Sequence, residues 1–363
     1  MDELPESEDP ESEDPELGEP GSGDLFERMN FVVDRHQEPL RIDKYLVTRM
    51  AHASRNKIQQ AAESSLIRVN DQPVPSNYRV RPGDHIILFT TRAPDLTEIT
   101  PEPIPLDIVF EDQDLVVINK PAGMVVHPGS GNYTGTLVHG LAYHLYGAHP
   151  EKTGVPRFGL VHRIDKNTSG LLVAAKTASA LNDLAGQFFD HKVNREYQAL
   201  VWGDMEQQEG TIQGNVGRHL RFRKIMDVYP DGEHGKPATT HYRVLERFGY
   251  TTLLACRLET GRTHQIRVHM QHVGHPLFND ATYGGDRIVK GTVFTKYRQF
   301  VENCFALIPR QALHARTLGF IHPGTGKAVH FEAPLPEDFQ LVLEKWRGYG
   351  RRNESGESRA GKC

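Results

Sequence analysis

From Leu106 onward the chain is a succession of short β-branched and aromatic runs separated by turn formers: LDIVF, DLVVINK, LLVAAK, EYQALVWG, THYRVLERF, TTLLACRLE and HQIRVHM. Such side chains pack well on a pleated, half-buried surface and lose rotamer freedom in a helix, so this succession demands a sheet. One segment breaks the pattern. Behind Thr177, a suitable N-cap, Leu181, Leu184, Ala185 and Phe188 recur at helical spacing and predict a helix at Ala178–Phe189. The expected class is α+β, with a mixed, mostly antiparallel sheet. Within HQIRVHM, alternation places His264, Ile266, Val268 and Met270 on one strand face and Gln265, Arg267 and His269 on the other.

Residues 40 to 88 read as a smaller, self-contained module. Leu40, Tyr45, Leu46 and Met50 fall at helical spacing, and Ser54 is placed to cap a second helix running through Ile58 and Ala61 to Ala62. Strand-like runs follow at 66 to 69 and 85 to 89, separated by turn formers. The module holds eight basic and four acidic residues, and Arg41, Lys44, Arg55 and Lys57 are its candidates for phosphate contact. A charge excess of this size fits a solvated face as well as a binding face.

Charge is unevenly spread. The whole chain carries −5, but residues 1 to 27 hold 12 of its 47 acidic residues and no Lys or Arg, leaving 42 basic against 35 acidic residues beyond them. That acidic head is rich in Pro, Ser and Glu, has little to bury, and is expected to be a disordered tail. Residues 28 to 92 are expected to form the small module, 93 to 105 a Pro-rich linker, 106 to 348 the large domain and 349 to 363 a flexible tail. Cys256, Cys304 and Cys363 form no CxxC pair, and no apolar run is long enough to span a bilayer. The expectation is a reducing, cytoplasmic location without a thiolate metal site.

The densest set of polar residues is GLVHRIDKNTSGLLVAAK, where His162, Arg163, Asp165, Lys166, Asn167, Thr168 and Ser169 sit between two apolar runs. Such a loop carries reactive groups on a rigid scaffold. The same residues equally suit a turn in which Asp165 caps backbone N–H groups. ETGRTHQIRVHMQHVGHP brings Arg262 and Arg267 together with His264, His269, His272 and His275, whose spacings match no common metal-ligand pattern. In RHLRFRK, Arg218, His219, Arg221, Arg223 and Lys224 surround Phe222, a pattern suited to phosphate contact and base stacking.

Residues 40 to 88, through RIDKYL, SRNKIQQ, IRVN and PGD, resemble the S4 RNA-binding domain. INKPAGMVVHPG, HRIDKNTSG, REYQALVWG, the GRTHQIRVHM stretch and LHA at 313 to 315 resemble, in that order along the chain, the RluA/RluD family of pseudouridine synthases. The family's usual string has Leu where Ile164 stands and Asp where Asn167 stands. The resemblance implies Asp165 as the catalytic aspartate, Arg163 as the residue that replaces the flipped-out nucleotide, Tyr197 as the active-site tyrosine and Arg267 as the aspartate's basic partner. With them, His162, Thr168 and Arg262 are expected to contact RNA.

The implied reaction breaks the N1–C1′ bond of uridine and rejoins the base through C5. No electrons or atoms are gained in it, so neither metal nor other cofactor is expected. Structured RNA is the expected partner, as large-subunit ribosomal RNA or a pre-ribosomal particle, with the protein a monomer. A catalysis-independent RNA-binding assembly factor and the same chemistry on transfer RNA are the alternatives. Residues 287 to 309 exceed what the shortest family members need and are treated as an insertion.

Overall fold

The computed structural model describes residues 26–35, 37–49, 55–90, 99–129, 132–147, 155–222 and 225–360. The acidic head up to residue 25, Met50, Ser54 and the first half of the expected linker lie outside them. The chain divides into two compact units, the first of residues 1–98 with 128–134 and the second of residues 99–127 with 135–363.

The first unit comprises β1 (Phe26–Val32), α1 (Ile42–Val47), α2 (Arg55–Glu63), β2 (Ile67–Val69), β3 (Gln72–Pro73) and β4 (His85–Thr90), with sheet order β1-β4-β2-β3. Ile42, Leu46, Ile58, Ile67, Val80 and Ile86 fill its core. Asp43 is fully buried and organises the helix pair. Its carboxylate accepts from Arg41 Nε and Nη2 (3.1 and 2.9 Å), Arg55 Nε (3.0 Å), Gln59 Nε2 (3.2 Å) and the Lys44 amide (2.8 Å). Burial pushes this carboxyl up, but the two guanidiniums and Gln59 outweigh it and hold it down to about 2.

The second unit is built on a ten-stranded sheet. In chain order it contains β5 (Ile108–Glu111), β6 (Leu115–Lys120), α3 (Leu137–Tyr146), β7 (Ser169–Ala175), α4 (Ala178–Phe189), β8 (Asn194–Trp202), β9 (Glu209–Arg218), β10 (Met226–Tyr229), β11 (Lys236–Arg247), β12 (Thr251–Leu258), α5 (Gln265–His272), α6 (Thr295–Leu307), β13 (Leu313–Ile321), β14 (Ala328–Glu332) and α7 (Glu337–Ala360). The strand order is β10-β9-β11-β12-β8-β13-β7-β6-β5, with β14 on β13. Every pair is antiparallel except β13 with β7.

Every residue of β7 is buried, because its two faces are both covered. Leu172 and Ala174 pack with α3 through Leu137 and Leu141, whereas Leu171 and Val173 pack with α4 through Ala180 and Leu184. α4 occupies the expected residues, and the Thr177 side chain accepts from the Ala180 amide at 3.1 Å. A third cluster joins Trp202 and Phe278 to α6 (Tyr297, Val301) and α7 (Phe339, Trp346). The supposed insertion is therefore a core element.

Several expectations need correction. HQIRVHM is not a strand; it forms α5, for reasons developed with the site. The linker is shorter than expected, since Ile99 packs on the main core and Glu102 accepts from the Gly135 amide at 3.1 Å. β1 begins at Phe26, inside the stretch assigned to the tail. α7 continues through Ala360, past the expected boundary at 349, because extending a helix already anchored by Trp346 costs far less than nucleating one. Among the described residues no helix is long and apolar enough to cross a membrane.

Gly170 of β7 pairs with Ala315 of β13. It has φ +116°, and a Cβ there would lie 2.2 Å from the Ala315 carbonyl oxygen. Gly170→Ala is expected to cost at least about 1–3 kcal/mol, since it adds a backbone clash to a conformation that L residues avoid. A denaturant titration showing an unchanged midpoint would contradict this.

Candidate active site

Asp165 lies in the turn that feeds β7, and that turn is held residue by residue. The Thr168 amide donates to the Asp165 carbonyl at 3.0 Å. Lys120, at the end of β6 and fully buried, donates to the carbonyls of Lys166 (3.0 Å), Pro121 and Met124 (both 2.8 Å). Burial pulls its ammonium down to about 7 while the charge of Asp165 pulls the other way, and three carbonyls match its three ammonium protons. Arg310 Nη1 donates to the Asn167 carbonyl at 3.1 Å and is itself clamped by the Asp338 carboxylate at 2.7 and 2.9 Å. Gln311 Nε2 reaches Thr168 Oγ1 at 3.4 Å, and His314 Nδ1 lies 2.9 Å from Ser169 Oγ.

This frame decides between the two readings of the turn. The Asp165 backbone closes it, and among the described residues no backbone amide donates to its side chain. Its Oδ2 instead accepts from Arg267 Nη1 at 3.0 Å, with 22% of the side chain exposed.

Arg267 comes from α5. The run HQIRVHM satisfies a period of two, but Ile266 and Met270 also lie four apart, and both enter the main core. Gln265 secures the start of the helix: its side chain accepts from the Arg262 amide (3.0 Å) and Thr260 Oγ1 (2.7 Å) and donates to the Thr239 carbonyl (3.0 Å). A strand would have turned His264 and Arg267 to opposite faces. The helix places them on one side, beside Asp165, with His264 Nε2 3.9 Å from its Oδ2.

The guanidinium of Arg267 is only 6% exposed and binds two carboxylates. Nε and Nη2 form a bidentate pair with Asp280 at 2.7 and 2.9 Å, leaving Nη1 for Asp165. The Tyr283 ring lies 5.1 Å beneath it. Asp280 is also buried, and its Oδ1 accepts from the amides of Thr282 and Tyr283 at 3.0 and 3.3 Å. Burial pushes the Asp165 carboxyl up, but His264 where protonated, Arg267 and Arg163 outweigh it, so it lies below the ordinary carboxylate range. Burial also keeps His264 neutral to lower pH, so at neutral pH Arg267 is the partner that matters.

Tyr197 is buried on β8 between Cys256 of β12 and Ala315 of β13. Burial raises its phenol pKa; Arg195 opposes this and Asp165 adds to it. Arg163 is exposed on the turn itself.

Three expected RNA contacts are placed otherwise. His162 stacks on Phe188 at 4.5 Å and its Nε2 accepts from the Val173 amide at 3.0 Å, so it supports β7. Thr168 is buried under Gln311. Half-buried Arg262 donates from Nε to the Pro237 carbonyl at 3.2 Å.

The remaining candidates lie at two surfaces. In the first unit, Arg41 and Arg55 are tied to Asp43, Lys44 is exposed, and the Lys57 side chain lies outside the described residues. In the β9–β10 hairpin, His219 Nδ1 accepts from the amides of Arg221 and Phe222 at 3.0 and 3.1 Å. That tight tip exposes Leu220 and Phe222, with the Arg221 guanidinium 5.3 Å over the Phe222 ring. Arg218 opens the tip from the end of β9, and Arg223 and Lys224 lie outside the described residues. A cavity of about 650 Å³ lined by Asp204, Tyr250, His275 and Lys290 shares no residue with the Asp165 constellation.

Residues 114–272 match the RNA pseudouridylate synthase family, and residues 40–86 match the S4 domain. An uncharacterized RNA pseudouridine synthase of Chlorobaculum parvum is 49% identical over 88% of this chain and 98% of its own length. The chain belongs to the RNA pseudouridine synthase family. Ribosomal large subunit pseudouridine synthase D of Nitrosomonas europaea is 41% identical over 90% of both chains, and its namesake of Haemophilus influenzae 42% over 86% of this chain and 92% of that one. Among solved structures, human RNA pseudouridylate synthase domain containing 4 superposes with a TM-score of 0.54 at 26% identity, covering 66% of this chain and 93% of that one. The synthase thus carries an S4 module ahead of its sheet.

Sequence reasoning missed Asp280, Tyr283, Lys120 and Arg310, and saw His264 only as a doubtful metal ligand. The signals were slight: an acid and an aromatic three apart in DATYGG, and a lysine ending an apolar strand before Pro-Ala-Gly. Arg267→Gln is expected to move the Asp165 carboxyl titration, followed by carbon-13 NMR, upward, because burial is then opposed by one cation and one charged hydrogen bond fewer. The same change strands buried Asp280 and should cost about 3–5 kcal/mol of folding stability. An unmoved titration would contradict the pairing.

Proposed function

We propose that the synthase isomerises uridines of large-subunit ribosomal RNA with Asp165 as its catalytic carboxylate. The observation that carries this is the Asp165–Arg267 pair: a half-buried carboxylate kept ionised by a guanidinium that is itself held by Asp280. Either attack on C1′ or removal of a sugar proton needs the anionic form, and a partly dehydrated anion is the more reactive one. Cleavage of N1–C1′ frees the uracil, which turns and bonds through C5; the C5 proton leaves and N1 takes one up, so the balance is that of an isomerisation.

A stacked base cannot reach this site, so the nucleotide must be flipped out at a cost of about a few kcal/mol. Arg163, exposed on the catalytic turn, is suited to fill the vacated place, and Tyr197 to face the base. Lys44 and the hairpin tip with Arg218, Arg221 and Phe222 supply phosphate and stacking contacts. The large-subunit substrate rests on the relatives named for it. The reading extends to a monomer acting in the cytoplasm on ribosomal RNA or on a pre-ribosomal particle.

Asp165→Asn is expected to lower pseudouridine formation by about 10⁴-fold while leaving RNA affinity intact. Turnover near that of the unchanged enzyme would refute the assignment. Mapping pseudouridines in total RNA with and without the gene should show sites lost from large-subunit RNA; loss confined to transfer RNA would replace that substrate. With about six or more phosphate contacts, affinity should fall by about 10³-fold between about 50 and 200 mM salt. A flat dependence would contradict the RNA-facing surfaces.

A further inference from the structure

The two oxygens of Asp165 are not equivalent. Oδ2 receives Arg267 Nη1 at 3.0 Å and faces His264 Nε2 at 3.9 Å. Oδ1 has no hydrogen-bond partner among the described residues. What distinguishes them further is the protonation of His264, and that can be worked out from its other neighbour.

His264 Nδ1 lies 2.8 Å from Tyr283 Oη, and the two rings meet edge to face with centroids 5.7 Å apart. Tyr283 is buried, and its oxygen already accepts the Met226 amide proton at 3.0 Å. A phenol has one proton to give. If it goes to His264 Nδ1, the Met226 amide, Tyr283 Oη and His264 Nδ1 are all matched. In the other tautomer Nδ1–H would donate to Oη as a second donor, and the phenol proton would be left without an acceptor among the described residues, a costly arrangement in a buried site. The neutral imidazole therefore carries its proton on Nε2, the nitrogen that faces Asp165.

The backbone supports a purposeful placement. His264 has φ +56°, the left-handed region disfavoured for a residue with a Cβ, at the N-cap of α5. Its side chain makes no capping bond to the helix, so capping is no reason for that conformation. Strain of this kind persists where the surroundings impose it, and here it aims the ring between Tyr283 and Asp165.

We propose that Tyr283 locks His264 in the Nε2–H form so that His264, with Arg267, holds Asp165 Oδ2, leaving Oδ1 as the oxygen that reacts with the nucleoside. A separation of 3.9 Å is too long for a hydrogen bond, so the contact closes when a uridine occupies the site. His264 is thus a positioning residue, acting through Asp165. The proposal rests on Asp165 being the catalytic carboxylate, but its central claim is tested without turnover.

Long-range proton–nitrogen NMR on the full-length protein with nitrogen-15 histidine reads the tautomer directly. The expected spectrum shows His264 protonated on Nε2 and bare on Nδ1, and Tyr283→Phe should convert it to a mixture. Protonation on Nδ1 in the unchanged protein would overturn the proposal whatever Asp165 does. In turnover assays on unmodified large-subunit RNA transcript, His264→Phe is expected to lower kcat by about 10- to 100-fold with KM little changed. His264→Gln, which keeps an N–H donor, should recover part of that loss. A His264→Phe enzyme with unaltered kcat, or a Gln variant no better than Phe, would overturn the positioning role.

Discussion

The catalytic half of the molecule turns on one guanidinium shared between two acids. Arg267 is buried, and a buried cation must be neutralised by groups that are themselves held in place. Asp280 does this with both oxygens while two backbone amides fix its own orientation. The third nitrogen is then committed in direction, and Asp165 is the acid it meets. The charge state of Asp165 therefore depends on a turn more than 100 residues downstream, which no local reading of HRIDKNTSG contains.

The second constraint is mechanical. The turn from Asp165 to Ser169 is gripped from β6, from the approach to β13 and from β13 itself, through Lys120, Arg310, Gln311 and His314. Arg310 passes the grip on to Asp338 in the first turn of α7. Precision at Asp165 is thus supplied by buried polar side chains satisfied by backbone carbonyls. Such networks discriminate sharply between one arrangement and its neighbours, because each unmatched group in them is costly.

Much of this was legible in advance, for reasons that differ by element. β6, β7, β8 and β12 announced themselves through unbroken apolar runs, since strands covered on both faces need no alternation. α4 had its cap and its period. The Asp165 turn stood out because so many polar residues between two buried runs require an explanation. α5 was misread because Ile266, Val268 and Met270 satisfy a period of two, and only packing shows that Ile266 and Met270 share one face of a helix. α6 had the necessary spacing in Tyr297, Val301 and Cys304, but its residues looked dispensable by length. His162 and Thr168 seemed exposed by their company in sequence, yet both turn inward. Asp280 and Tyr283 were illegible, because their meaning comes only from the residue they face.

Both tryptophans of the chain, Trp202 and Trp346, sit in a single aromatic cluster with ring centroids 6.2 Å apart. That cluster belongs to α6, α7 and the adjoining sheet, and the S4 unit has no tryptophan. Intrinsic indole emission is therefore a local probe: it follows the packing of the two C-terminal helices and is blind to melting of the RNA-binding module. Two unfolding events in this protein can pass for one unless a second signal, such as circular dichroism, is recorded beside the fluorescence.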